Sequence, residues 1–339
     1  MDKGGSILYE GKYPNTRAAA AELAKTILSR YDSRAVCETT GWMWLKTYET
    51  LEEHKIPIVL ANTLRLRRSQ SGAKTDKLDA RNLANRLRMN DIEACHVPPP
   101  EKRHNLALLY QRITLVQERT RVLSRQHAIC DKYDYPTTSG HGNTSGPKYQ
   151  AFLNGLKLDP GDTGIMAQLV RHVEYLNGEI STLDYRTRKA AGESEDAKLI
   201  MTLPGFDAFG ALLVAESIDD IKRFAGSKQL VSFLGLCPRA YQSGDGNRHG
   251  RMKKDVDGRL TWIMMNAAMV AHRYDPHLSE LYEDHRKRHP PIVARSHLAN
   301  KSYDKMAIYI YHMLTNGKPY RFCNKRTYQA KLARLGTRA

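Results

Sequence analysis

Two stretches of this chain place apolar residues at alternating spacings of three and four, and no other feature narrows the fold so far. In the first, Leu106, Leu109, Ile113, Val116, Thr120, Leu123, His127 and Cys130 mark a seam; in the second, Met166, Leu169, Val173, Leu176, Ile180 and Leu183 resume it. An α-helix brings such positions onto one face, so each run predicts a long helix with a seam to bury. The stretch between, Asp134 to Thr163, is rich in Gly, Ser, Thr, Asp and Pro and predicts a loop. The two helices can pair within one chain as a hairpin or between chains as a dimerisation arm.

The flanks differ in pattern. Strand-like Ile7-Leu8-Tyr9, Arg34-Ala35-Val36-Cys37 and Pro57-Ile58-Val59-Leu60 alternate with helical stretches around Arg17–Arg30 and Trp42–His54, which predicts an α/β domain with a first strand near Ser6–Lys12. From Lys198 a helical region opens at Leu203-Pro204-Gly205-Phe206, with further helices over Asp257–Arg273 and Ser302–Leu314. Between them, Leu234 to Met252 is rich in glycine and basic residues and reads as an exposed functional loop. The expected order is an α/β domain over 1–98, a coiled-coil helical linker with a loop over 99–197, a mainly α domain over 198–320 and a basic tail over 321–339. Arg321, Lys325, Arg326, Lys331, Arg334 and Arg338 crowd that tail without an acid among them, which predicts mobility.

Lysine and arginine total 53 against 36 acidic residues in 339, a formal net charge of +17, so nucleic acid is the leading partner. The five cysteines are scattered and form no C-x-x-C pair, which argues against a disulfide framework or a zinc site and for a reducing cytoplasm. No apolar run approaches the roughly 20 residues that span a bilayer, and no signal-peptide pattern opens the chain. The expectation is a cytoplasmic protein without a membrane partner.

Lys74-Thr75-Asp76-Lys77-Leu78-Asp79-Ala80 opens a predicted helix on which Asp76, Asp79, Leu83 and Leu87 form one stripe, so the carboxylates are expected on its buried face. Asp76 as N-cap with Asp79 in the first turn is one account of them. A metal ion is the other, because buried carboxylates need positive charge between them. Glu38, ending the strand Ala35-Val36-Cys37 where α/β domains place chemistry, is the expected third ligand for Mg²⁺ or Mn²⁺. Further along, Ser243 stands on the basic glycine loop with Arg239, Arg248 and Arg251, which can neutralise a phosphate, and Lys253 and Lys254 follow them. Ser-Gly is ordinarily a turn and nothing local specifies a base, although His249 is close in sequence. Gly205 reads either as the glycine of a helix-hairpin-helix element, with backbone amides facing a DNA phosphate, or as a helix-connecting turn.

Taken together, Glu38-Thr39-Thr40-Gly41, Lys74 through Ala80, Leu203-Pro204-Gly205, and Arg223-Phe224 through Gly235-Leu236-Cys237-Pro238 to Ser243-Gly244 resemble the insertion-sequence-110 and 1111 transposases, the DEDD or RNA-guided bridge recombinases, over nearly the whole chain. The resemblance implies a RuvC-like, ribonuclease-H-type domain, a coiled-coil connection and a C-terminal domain whose serine attacks DNA. The family's second, third and fourth acids correspond to Glu38, Asp76 and Asp79, and its serine to Ser243. Its first acid lies on a strand with a Gly-Ile-Asp pattern, whereas this chain begins Met1-Asp2-Lys3-Gly4-Gly5, which resembles the turn after that strand; the expectation is a first strand lost to a late start, with Asp2 unassigned.

The combined expectation is a site-specific DNA recombinase in which the metal-bound carboxylates and Ser243 act together on the scissile phosphate. Element ends and target DNA are its substrates, a structured guide RNA its partner, and a homodimer or homotetramer its assembly. The alternatives are a junction-resolving nuclease using metal and water alone, or a nucleic-acid-binding remnant without activity.

Overall fold

A computed structural model of the chain describes residues 1–30, 33–39, 41–62, 75–137, 142–243, 246–252, 256–292 and 305–336; for 238–243 and 246–252 the backbone alone is described. The chain divides into two units, Met1–Val97 and Pro98–Ala339.

In the first unit β1 (Ala35–Glu38) and β2 (Ile58–Ala61) pair in parallel, Ala35 opposite Ile58 and Glu38 opposite Ala61. A parallel pair needs a crossover. Helix α2 (Met43–Glu53) supplies it, and α1 (Arg17–Arg30) packs on α2. The short β3 (Ala94–Cys95) runs antiparallel beside β2, giving the order β1-β2-β3. Ala24, Leu51 and Ile56 form the small core, with Ile27, Ala35 and Ile58 against it. Helix α3 (Asp76–Arg88) packs against β1.

The strand expected near Ser6–Lys12 does not form: Ile7, Leu8 and Tyr9 are exposed and unpaired. Side chains of α3 hold this segment instead, Lys77 and Arg81 bonding Glu10 while Arg88 donates to the Lys3 carbonyl at 3.2 Å. Because the helix start meets residue 10 and its end meets residue 3, the segment runs antiparallel to α3. β-propensity without a neighbouring edge to complete a ladder does not make a strand.

In the second unit α4 (Pro100–Lys132), α5 (Pro147–Asn154) and α6 (Pro160–Glu193) each open on proline, whose missing N–H costs nothing at a first helical position. Arg112 bonds Asp184 at 2.6 Å, Arg119 bonds Asn177 at 2.8 Å and Lys132 bonds Asp162 at 2.6 Å. As the number rises on α4 it falls on α6, so the helices are antiparallel, and of the two pairings open to the seams the chain makes the intramolecular hairpin. Leu106, Leu109, Ile113 and Cys130 are buried as the spacing predicts, but between Ile113 and Cys130 it is Val122 and Gln126 that are buried while Thr120 is exposed. The face turns because α5 lies over this end, placing Tyr149 and Leu153 against Cys130.

Gln126 and Gln150 exchange amide hydrogen bonds of 2.8 and 3.3 Å in that buried contact. Replacing Gln126 with leucine leaves the Gln150 amide oxygen without its donor, and urea denaturation is expected to show a loss of about 1–3 kcal/mol.

The remaining elements surround α8 (Ala208–Ile218), which is apolar apart from Glu216 and Ser217 and is buried from Phe209 to Ile218. Around it lie α7 (Glu195–Met201), α9 (Ser227–Phe233), α10 (Gly258–Tyr274), α11 (Pro276–Arg286) and α12 (Met306–Asn316). The segment expected to be a mobile basic tail carries α13 (Lys325–Ala333) and docks: Lys331 Nζ donates to the carbonyls of Met201 and Leu203 at 2.7 and 3.1 Å, and Leu335 is buried. An ammonium that satisfies orphan carbonyls at the end of α7 gives the segment a fixed place.

Candidate active site and nucleic-acid interface

Glu38 closes β1 at the exposed end of the strand. With Cys37 it lines a cavity of about 270 Å³ under α1 and α2, bordered by Ala20, Leu23 and Trp44. Burial first, and the Glu38 carboxylate second, push the Cys37 thiol up to about 12. Since the thiolate is the reactive form, Cys37 is expected to alkylate at pH 8 roughly 10³-fold more slowly than an unperturbed thiol, as peptide-resolved iodoacetamide labelling would measure.

Asp76 and Asp79 stand in the first turn of α3. The cap is Thr75, whose hydroxyl accepts from the Leu78 amide at 3.3 Å, and not Asp76. Both aspartates complement the helix dipole from the first turn, and neither has a hydrogen-bond or ion-pair partner among the described residues. Glu10 contributes to this. It takes up Lys77 and Arg81, the cations beside the aspartates, and the Arg81 guanidinium followed by Lys77 lowers its own carboxyl to about 2. The stripe is shallower than expected: Asp79, Leu83 and Leu87 are half-buried, Asp76 is exposed, and no residue of α3 is fully buried.

Glu38 and α3 thus adjoin the same strand. Hard carboxylate oxygens are the right donors for Mg²⁺ or Mn²⁺. No group of three or more His, Cys, Asp or Glu side chains among the described residues is gathered closely enough to hold a metal, so Glu38, Asp76 and Asp79 form a donor set suitable in kind without a preformed cage.

In the second unit the segment expected as an exposed loop begins in the core, with Leu234 and Leu236 fully buried, and then folds into a β-hairpin. β4 (Pro238–Ser243) pairs antiparallel with β5 (Gly246–Met252), Tyr241 opposite Arg248 and Ser243 opposite Gly246, with an irregularity between Pro238 and Ala240. Ser243 is therefore the last residue of its strand, beside the hairpin tip. Arg239, Arg248 and Arg251 lie on the two strands; Lys253 and Lys254 lie outside the described residues, as does Lys74.

Both roots of this hairpin are held. Gly235 has φ +73°, and a Cβ there would sit 2.3 Å from Thr261 Oγ1, while that hydroxyl donates to the Leu234 carbonyl at 3.0 Å. At the other root Asp257 caps α10, receives Arg259 Nε at 2.8 Å and accepts from the Tyr110 hydroxyl at 3.3 Å; the Arg259 guanidinium lies 3.3 Å from the centre of the Tyr110 ring.

Gly205 lies in the turn that connects α7 and α8. Gly205 has φ +88°, and a Cβ would fall 2.1 Å from the Ala267 carbonyl oxygen, so close packing of the α7–α8 turn on α10 accounts for the glycine. The start of α8 is capped by Asp207, whose carboxylate accepts from the Gly210 amide at 2.8 Å and opposes an anion there.

Residues 1–134 match a family model described as a DEDD-type IS110 transposase, and residues 197–283 match one described as the transposase IS116/IS110/IS902 family. The chain carries both domains of the IS110/IS116/IS902 transposase family. The first match covers Glu38, Asp76 and Asp79, and the second covers Ser243. Relatives include the transposase for insertion sequence element IS1111A of Coxiella burnetii, 25% identical over 72% of this chain and 66% of its own length. The transposase for IS1328 of Yersinia enterocolitica is 23% identical over 60% of this chain and 62% of its own, and the IS116 uncharacterized 44.8 kDa protein of Streptomyces clavuligerus 24% identical over 80% of each. The chain spans slightly under two thirds of the first two relatives. Among the described residues no helix is long and apolar enough to cross a membrane.

The hairpin roots and Glu10 escaped sequence reasoning. The Gly235-Leu236 pair inside an apolar run was the available signal for the first; nothing local marks Glu10 as the partner of a helix some 70 residues away.

Proposed function

We propose that this transposase-family chain is a site-specific recombinase of an insertion sequence, in which Ser243 is the nucleophile on DNA and Glu38, Asp76 and Asp79 form the acidic centre of a RuvC-like domain. The observation that carries the reading is the order of the two family matches, the first bearing the three carboxylates and the second the serine. That Ser243 ends a strand beside a hairpin tip, on a segment that also carries Arg239, Arg248 and Arg251, supports contact with an extended polyanion.

Attack by the Ser243 oxygen on a phosphodiester forms an oxygen–phosphorus ester and releases a deoxyribose hydroxyl, which takes up the proton the serine gives up; reversal onto a new hydroxyl reseals the strand. Arg239, Arg248 and Arg251 are the candidates to bind the phosphate and its developing charge. Glu38, Asp76 and Asp79 would hold Mg²⁺ or Mn²⁺, which supplies Lewis-acid polarisation of phosphoryl oxygen when bound. Because that set is not gathered, metal affinity without nucleic acid is expected to be weak. A guide RNA and a homodimer or homotetramer complete the reading, supported by the net charge of +17 and the family.

The test is incubation with DNA carrying the element ends and target, followed by denaturing electrophoresis. A DNA-linked band that forms with the unaltered protein and is absent in Ser243→Ala supports the reading; a band that persists in Ser243→Ala ends the serine's role.

A further inference from the structure

Groove-lining residues Arg112, Ile113, Val116, Gln117, Thr120 and Arg121 lie on one side of α4, and Gly258, Arg259 and Trp262 face them from the start of α10. The groove measures about 680 Å³, and neither aspartate nor glutamate lines it. Trp262 is 45% exposed. An indole left in water costs apolar surface, and an exposed large aromatic within a groove points to a ligand that covers it.

Helical side chains lean towards the preceding turn, so the residue four positions earlier ordinarily shields a ring of this kind. Here that residue is Gly258, and a Cβ built on it meets nothing within 4 Å. The face of the helix beside the indole is open.

Charge narrows the ligand. Arg112 is paired with Asp184 and Arg259 with Asp257, both carboxylates lying off the groove lining, while Arg121 has no partner among the described residues. The Arg121 guanidinium, two side chains that can hydrogen-bond (Gln117 and Thr120) and one partly exposed indole suit a phosphodiester backbone whose bases are free to stack. A duplex hides its base faces in its own stack and leaves the indole unused, and an acidic peptide offers no ring.

We infer that the α4–α10 groove binds an unpaired nucleotide stretch, with Trp262 stacking on a base and Arg121 on the adjoining phosphate. The inference rests on the proposed reading that nucleic acid is this chain's substrate. It deepens that reading by assigning a single-strand site next to the hairpin root, since Gly258 and Arg259 follow directly on Asp257.

The experiment uses the full chain with Trp42→Phe and Trp44→Phe, which leaves Trp262 as the one indole. Its fluorescence is titrated with a dT12 oligonucleotide, a U12 oligonucleotide, a blunt duplex and an oligoglutamate, with affinity followed in parallel by filter binding. Saturable quenching by dT12, U12 or both, beyond that given by the duplex, is expected; dT12 alone identifies displaced DNA and U12 alone an RNA. Trp262→Ala and Gly258→Leu should each weaken single-strand binding about tenfold. Arg121→Ala should reduce the salt dependence of binding by about 0.7 in log–log slope. Gly258→Leu fills open space on the surface and separates blockage from misfolding, which far-ultraviolet dichroism checks for each variant. Unchanged fluorescence at saturating oligonucleotide, equal affinity in Trp262→Ala, or quenching by oligoglutamate alone overturns the inference. Loss of the serine adduct with quenching intact counts against the proposed chemistry and leaves the groove standing; the converse result sinks the groove and spares Ser243.

Discussion

Gly205→Ala is expected to destabilise the second unit by on the order of 4 kcal/mol, among the largest effects a single methyl group can have in a protein of this kind. Two costs coincide: φ of +88° is unfavourable for any residue with a Cβ, and that Cβ would have to occupy space 2.1 Å from the Ala267 carbonyl oxygen. Backbone on both sides leaves no flexible side chain to yield. For a unit of this size the loss corresponds to a fall of about 8–16 °C in melting temperature. Gly178→Ala provides the contrast, since that glycine lies on the exposed side of α6 with nothing within 4 Å of a built Cβ. It should stabilise by about 0.5–1 kcal/mol. Thermal denaturation of the two variants beside the unaltered protein measures both signs. If Gly205→Ala melts unchanged, the packing of the α7–α8 turn on α10 is wrong.

Cleavage should fall by at least 10³-fold in Ser243→Ala and to a comparable extent in Asp79→Ala, with binding of DNA retained in both. On the proposed reading the first removes the attacking oxygen. The second removes a first-turn carboxylate that has no ion-pair partner among the described residues. Strand-cleavage assays on element-end DNA, with gel-shift titrations in parallel, separate chemistry from binding. A nuclease that relies on metal and water alone would show a different pattern, losing activity in Asp79→Ala and keeping it in Ser243→Ala. Retained cleavage in Asp79→Ala would remove α3 from the active centre.

The elements most legible in the sequence were those whose burial follows from their own periodicity. The seams on α4 and α6 were readable from Leu106, Ile113, Val173 and Ile180, all buried. The helix over 76–88 was readable from its cap region, although the capping hydroxyl belongs to Thr75 and the Asp76 carboxylate is left over. Illegible were features set by distant parts of the chain. Ile7-Leu8-Tyr9 has the composition of a strand, but strands exist only by pairing, and this segment is tied to α3 by Glu10. The far half of the α4 seam turned towards α5, a short helix within what composition marked as loop. The basic C-terminal segment looked unattached because the acceptors of Lys331 are backbone carbonyls, which no composition reveals. Of the candidate site, the strand end that carries Glu38 and the helix start that carries Asp76 and Asp79 were visible in advance, but the exposure of Asp76 was not; the hairpin that carries Ser243 was read as a loop, because glycine and arginine content conceals the pairing of Tyr241 with Arg248.

Trypsin should release the adduct-bearing segment as the peptide Ala240–Arg248, cut after Arg239 and after Arg248, in which Tyr241 and Ser243 are the hydroxyl groups available to a phosphodiester. Mass spectrometry of nuclease-trimmed adducts, formed on element-end DNA, locates the phosphoryl group within those nine residues. The account predicts the added mass on Ser243, lost by β-elimination in alkali. Phosphorylation of Tyr241, or an adduct on any other peptide, would contradict it.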